Sequence, residues 1–254
     1  MMLRAARIET KTPQELAAIR RACLVVSEAL KALAAAAVPG ASTAELDALA
    51  AEEIRKRGAK PAFLGYRGYP ATLCASINEE VIHGIPSPAR RLKDGDIIGF
   101  DLGAVVDGFY GDAARTVGVG AVSAEAEKLM RVTREALQQG IAAARPENRV
   151  GDIGAAVQRH AEENGFSVVR EFVGHGIGRA LHEEPAVPNY GRAGTGPRLK
   201  AGMVLAIEPM INAGGPEVRV LEDGWTAVTA DGRMSAHFEH TVAVTESGPV
   251  VFTI

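Results

Sequence analysis

Early in the chain, Leu16, Ile19, Cys23, Val26, Leu30 and Leu33 recur at three-and-four spacing and fall on one stripe, the pattern of an amphipathic helix. Thr12-Pro13-Gln14-Glu15 gives it a start, a capping box with proline at the first helical position. A second helix opens at Ser42-Thr43-Ala44-Glu45, carries Leu46, Leu49 and Ile54, and stops at Gly58. Ser123 caps a third, with Leu129, Val132, Ala136 and Leu137, and a fourth runs from about Asp152 to Gly165. From Gly58 to about residue 119, and again after the fourth helix, the apolar positions change to short strand-like runs.

The clearest strand pair is "IIGFDLGAVVDGFYGDAARTVGVG" (97–120), where Asp107-Gly108 reads as a two-residue hairpin turn. That turn sets Val106 against Phe109 and Gly103 against Asp112, so Asp101 and Asp112 share a face as diagonal neighbours. Such positions have Cα atoms roughly 7–8 Å apart. Two acids on one face of an apolar hairpin repel in a poor dielectric unless the face is wet or a cation lies between them.

The chain matches itself at one constant offset of 107. Pro39 falls on Pro146, Leu46 on Ile153, Gly58 on Gly165, Lys93 on Lys200, Gly95 on Gly202 and Asp101 on Glu208. We read this as an internal duplication giving two α+β halves, roughly 12–120 and 121–254, about a pseudo-two-fold axis. No low-complexity linker separates them, so residues 1–254 are expected to form a single domain preceded by an N-terminal segment, 1–11.

The second half carries its own acids in apolar runs: Glu208 in "GMVLAIEPMI" (202–211) and Glu239 in "MSAHFEHTVAV" (234–244). Four carboxylates embedded in strands bring four negative charges, which two divalent cations would neutralise. Oxygen-rich coordination with a single imidazole suits manganese, iron, cobalt or zinc.

Histidine supplies that imidazole. In "EFVGHGIGRALHEEP" (171–185), His175 and His182 stand seven residues apart among Gly174, Gly176 and Gly178. Seven extended residues span roughly 23 Å, so the rings meet only if the chain bends, which glycines permit while letting other groups approach the backbone. The alternative is a surface loop with two solvated histidines. His175 is the candidate ligand. His160 reads as solvated or partly packed, His240 as turned away from Glu239, and His237 as sharing the face of Glu239.

Composition narrows the class without choosing the chemistry. With 254 residues, 47% hydrophobic and 23% charged, the chain is long enough for a substantial core. A formal charge of −3 and no lysine–arginine cluster give no footprint for nucleic acid. No signal-type apolar segment or membrane-length run is present. Two cysteines, Cys23 in an apolar helix stripe and Cys74, suit a reducing compartment and make cytoplasm the expected location.

Six segments together resemble the type I methionine aminopeptidases of the pita-bread fold: "INEEVIHGIP" (77–86), "GFDLG" (99–103), "YGDAART" (110–116), "GHGIGRALHEEP" (174–185), "AIEPM" (206–210) and "AHFEHT" (236–241). The resemblance implies an α+β fold, two pseudo-two-fold-related αβ halves with a central antiparallel sheet covered by helices. It implies removal of N-terminal methionine from peptides and nascent proteins by a water bridging two divalent ions. By resemblance the metal ligands are Asp101, Asp112, His175, Glu208 and Glu239, with Asp112 and Glu239 bridging, and the catalytic residues are His83, His182 and Glu208. The methionine slot would be lined by Phe63, Tyr66, Tyr69, Cys74, His83, Leu181, His182 and Trp225. Read without the resemblance, Tyr66 and Tyr69 could be surface residues of "FLGYRGYP", and Trp225 could plug a core. Asn78, Glu80 and Ser235 match a monovalent-cation site, for sodium or potassium.

The sequence departs from the family pattern at Ala113 and Ala114, at Phe100 and Leu102 on either side of Asp101, and at His237. None of these is a ligand position, so the departures bear on rate and metal preference. Transient ribosome association is compatible with the activity, though no zinc-binding N-terminal extension suggests a dedicated device; a monomer is expected, with no membrane partner. Two rivals remain: a proline-directed aminopeptidase or prolidase, which typically carries a further N-terminal domain, and a metal-free binding module of the same fold, which usually lacks one or more ligands.

Overall fold

The computed structural model describes residues 8–254; the first seven positions of the expected N-terminal segment lie outside them. Four helices form where the capping signals put them: α1 (Pro13–Ala36), α2 (Thr43–Lys56), α3 (Ala124–Ala143) and α4 (Val150–Glu163). Thr12 and Ser42 each close a capping box with the glutamate three residues on, and Ser123 accepts from Ala126 N–H. The fourth helix starts two residues before the expected Asp152 and ends at Glu163, with Gly165 at φ 84 just beyond it.

All strand ladders are antiparallel. Ile97–Val106 and Phe109–Gly118 form the hairpin, with Asp107 and Gly108 both at positive φ (51 and 79). This is the primed turn that the right-handed strand twist favours. Gly103 stands opposite Asp112 and Asp101 opposite Ala114, the expected register. Cys74–Ile77 adds to the other side of the hairpin, setting Cys74 opposite Asp101. In the second half, a five-stranded sheet runs 248–251, 240–245, 204–207, 174–176, 183–187. Two three-stranded sheets, one of 235–237, 210–212 and 167–168, the other of 218–220, 227–229 and 80–82, complete the pattern.

The halves repeat each other in their backbone bonds. Thr43 N–H meets the Arg90 carbonyl at 2.9 Å, and Val150 N–H meets that of Pro197 at 3.0 Å. Leu92 N–H bonds the Ala41 carbonyl at 2.9 Å, and Leu199 N–H that of Asn148 at 2.8 Å. Ser42–Arg91 and Arg149–Arg198 are corresponding isolated bridges. The same offset of 107 separates each pair. Each half also has its own core: Ile19, Leu33, Leu46, Phe100 and Leu102 in one, Leu129, Ile153, Val157, Leu205 and Ile207 in the other. A fully buried side chain of this size contributes about 1.5–3 kcal/mol.

The halves are stitched along the outer edge of 109–118. Glu239 N–H donates to the Ala114 carbonyl (2.9 Å), and Tyr110 N–H to that of Gly178 (2.8 Å). Thr241 Oγ1 donates to the Asp112 carbonyl at 2.7 Å, and Thr116 Oγ1 to that of His237 at 2.8 Å. These seams carry acids of both halves to one place.

A candidate metal centre

Asp112 and Glu239 are buried, and Asp101 and Glu208 stand half-buried on the wall of the same cavity. Glu208 and Glu239 were expected inside strands; both instead occupy breaks, between Val204–Ile207 and Met210–Asn212 and between Ser235–His237 and His240–Thr245. Pro209, without an N–H, follows Glu208 and suits the first break. Leaving the ladder frees each carboxylate from alternation and lets it turn inward.

The chain bends between His175 and His182 as expected, while the glycines flanking His175 serve close packing. Gly174–Gly176 is a strand inside the five-stranded sheet, with His175 opposite Ala206. A Cβ on Gly174 would lie 2.3 Å from the Ala206 carbonyl oxygen, and one on Gly176 would lie 2.2 Å from that of Glu184. Glycine here permits close backbone packing, and the chain returns through residues 177–182 to bring the His182 ring within 4.2 Å of the His175 ring, centroid to centroid.

His175 Nδ1 lies 2.9 Å from the Gly176 carbonyl oxygen. A carbonyl only accepts, so Nδ1 carries the proton and Nε2 presents a lone pair to the cavity. That Nε2 is 3.8 Å from Asp112 Oδ2 and 3.5 Å from Glu208 Oε1. Asp112, His175 and Glu239 each offer a ligand atom within 4.8 Å of the others. Burial pushes the His175 pKa down to about 3, keeping the ring neutral.

The acids are displaced the other way. Burial raises Asp101 to about 7. Asp112 is raised well above the usual carboxylate range by burial and then by Asp101, Glu208 by burial and then both aspartates, and Glu239 by burial and then the other three acids. Asp101 Oδ1, Asp112 Oδ1 and Glu239 Oε1 are buried without any hydrogen-bond partner. Several acceptor oxygens facing one neutral imidazole nitrogen, with no donor among them, fit divalent cations.

All eight side chains expected around the methionine slot line this cavity of about 140 Å³. Phe63, Tyr69, Cys74 and Leu181 are buried, and Trp225 packs edge-on to Tyr69 at 5.1 Å. Burial, followed by the Asp101 charge, holds the Cys74 thiol in its neutral form. His83 has φ 60, an unusual conformation for a non-glycine residue, and packs edge-on to Phe172 at 5.8 Å. Burial lowers its pKa to about 4, with His182 adding to the effect. His182, at the exposed mouth, is lowered too, first by partial desolvation of its ring and then by Arg67.

Arg67 also lines the cavity, and the sequence reading missed it. The available signal was its position between Tyr66 and Tyr69 in "FLGYRGYP". His237 borders the site as expected, its Nε2 buried, unpartnered and 3.7 Å from Glu208 Oε2. Asn78 and Ser235 lie together, Ser235 N–H donating to the Asn78 carbonyl at 2.8 Å, whereas the Glu80 carboxylate is engaged by Arg90 and by Ile77 N–H. His160 pairs with Glu135 at 3.1 Å, and His240 with Thr253 at 2.8 Å, both away from the cavity. Cys23 is core, its thiol raised by burial to about 12.

The acids of the two αβ halves and His175 thus converge on one cavity, with ligand atoms close enough to share a cation. Residues 17–246 match the profile of metallopeptidase family M24. The chain is 53% identical over 96% of its length to methionine aminopeptidase of Clostridium perfringens, covering 98% of that protein. It is 51% identical to methionine aminopeptidase 1 of Bacillus subtilis, with 96% and 98% covered. The chain belongs to family M24 and, within it, to the methionine aminopeptidases. The crystal structure of methionine aminopeptidase from Rickettsia prowazekii superposes with a TM-score of 0.96 at 42% identity, covering 98% of this chain and 100% of that one. Prolidase from Pyrococcus furiosus gives 0.77 at 25% identity, and the chain covers 66% of its length, so the proline-directed rival is not favoured. No helix among the described residues is long and apolar enough to cross a membrane.

Proposed function

We propose that this chain hydrolyses the first peptide bond of substrates beginning with methionine, nascent proteins among them, with two divalent cations. One observation carries the reading: a single cavity wall combines unpartnered acids, a neutral imidazole, two further histidines and an apolar slot. Asp101 and Asp112 would hold one cation and His175 and Glu208 the other, with Asp112 and Glu239 shared. Manganese, iron, cobalt and zinc all suit these donors. Bound cations would supply Lewis acidity, acidifying a water and binding the free α-amine.

The remaining work belongs to side chains. Glu208 takes the proton of the attacking water and returns it to the leaving nitrogen. Tyr66 Oη lies 3.0 Å from His182 Nδ1. With the phenol donating there, Nε2–H is left to donate to the scissile carbonyl oxygen as negative charge develops, a contribution of about 3 kcal/mol in comparable sites. His83, kept neutral by burial, holds the amide at the cleavage point. Phe63, Tyr69, Cys74, Leu181 and Trp225 accept the polarisable thioether of methionine. An α-amine anchored at the acids with its side chain in this slot sets the bond one residue in at the two histidines.

One catalytic domain spanning 1–254 and a monovalent cation held by oxygens of Asn78, Glu80 and Ser235 complete the proposal. Two free, buried cysteines support a cytoplasmic location. The test is release of free methionine by metal-stripped protein titrated with Mn²⁺, Fe²⁺, Co²⁺ and Zn²⁺. Met-Ala-Ser should be cleaved and Ala-Pro-Ser spared. Preference for the Xaa-Pro peptide, or no hydrolysis with any metal, refutes the reading.

A further inference from the structure

Neither the acids, the histidines nor the apolar slot accounts for Arg67 on the cavity wall. It sits between Gly65 and Gly68, both at positive φ (81 and 91), and has φ 50 itself, a conformation disfavoured for any residue with a Cβ. Its guanidinium lies 5.4 Å from the centroid of the Tyr66 ring, and Tyr66 stacks on His182 at 5.3 Å. Arg57 and Arg90 pair with Glu53 and Glu80, whereas Arg67 takes part in none of the arginine–carboxylate pairs among the described residues.

Arg67 and His182 are exposed and Tyr66 half-exposed, while Phe63, Tyr69 and Leu181 are buried. The cavity therefore opens at Arg67, and a peptide held at the acids leaves past His182 and Tyr66. The two separations of 5.3 and 5.4 Å place the guanidinium within reach of His182, at most about three extended residues away.

We infer that Arg67 is a specificity-determining residue whose unpaired guanidinium favours, among methionine-initiated peptides, those with an acidic residue at the third or fourth position over those with lysine or arginine there. The inference rests on the activity proposed above. Across a water-filled mouth such a charge changes kcat/KM by roughly three-fold per substrate charge, and salt screens it.

The test compares Met-Ala-Glu-Ser, Met-Ala-Gln-Ser and Met-Ala-Lys-Ser, using metal-loaded wild type, R67K, R67Q and R67E at low and high salt. The readout is the ranking of the peptides, which a general loss of activity would leave unchanged. Wild type and R67K should rank Glu over Gln over Lys across roughly ten-fold, compressed to roughly two-fold at high salt. R67Q should flatten the ranking and R67E reverse it. Equal rates for the three peptides in wild type, or a wild-type ranking in R67Q, overturns the inference and leaves the activity standing. No cleavage of any peptide by wild type overturns both.

Discussion

Tyr66 and His182 form a stacked pair, with ring centroids 5.3 Å apart, planes 17° from parallel, and the phenol oxygen 3.0 Å from Nδ1. A neutral imidazole that donates from Nε2 must accept at Nδ1, so the phenol selects the productive tautomer. Tyr66→Phe keeps the stacking and removes that selection. Its kcat should fall about ten-fold, the worth of about 1–1.5 kcal/mol for one hydrogen bond, with KM nearly unchanged. His182→Ala should lose roughly a hundred-fold or more. Steady-state kinetics on a methionine-initiated peptide decide it, and a Tyr66→Phe enzyme at wild-type kcat removes the tyrosine from the mechanism.

Glu208 is asked to do two things, hold a cation and move a proton, and its carboxylate faces His175 on one oxygen and His237 on the other. Glu208→Ala should therefore abolish turnover, by at least about a thousand-fold, and lower bound metal at the same time. Elemental analysis of protein purified without chelator, beside the kinetics, separates the two losses. Wild-type hydrolysis with Glu208 absent contradicts the assignment outright.

The legible parts of this site are those fixed by local rules. The Asp107-Gly108 turn dictates the pairing of Gly103 with Asp112, and from it the common face of Asp101 and Asp112 follows. The acids of the second half were found as charges in apolar runs, but their location in strand breaks was not legible, because hydrophobic alternation gives no sign of where a ladder stops. The seam was hidden as well: the bond from Glu239 to Ala114 joins positions distant in sequence, and no local pattern specifies such a partner. Arg67 escaped because an arginine in a glycine loop ordinarily reads as solvated. Identifying His83, His182 and the slot residues took resemblance, since their spacing alone carries no periodicity.

Metal removal should make stability sensitive to pH in one direction. Burial raises Asp112, Glu208 and Glu239 well above their ordinary values, and Asp101 to about 7. A group that binds protons more readily folded than unfolded loses stability as pH rises through that interval. The buried histidines act oppositely, but His83 and His175, lowered to about 4 and about 3, are deprotonated in both states above the ordinary histidine range. Above the ordinary histidine value of about 6.5 and through the raised Asp101 value of about 7 the acids therefore dominate. The Tm of metal-stripped protein should fall across this window by several degrees, roughly 2–4 °C per kcal/mol lost, and Mn²⁺ should raise it and flatten the slope. A stripped protein whose Tm rises over the same interval contradicts the charge assignment.

Gly174 tests whether close packing, and not flexibility, is what the glycines beside His175 provide. An added Cβ would meet the Ala206 carbonyl oxygen at 2.3 Å, inside a sheet where His175 stands opposite Ala206. The backbone would have to move, and the cost should be about 1–3 kcal/mol. Because the displaced strand carries His175, metal affinity should fall along with stability. Gly191→Ala is the control at a site with open space, where φ is 133 and nothing lies within 4 Å of the added carbon; strain there is confined to one loop residue. Urea denaturation with calorimetric metal titration on both variants gives the comparison. If Gly174→Ala weakens stability but binds metal like wild type, the strand does not set the position of the imidazole.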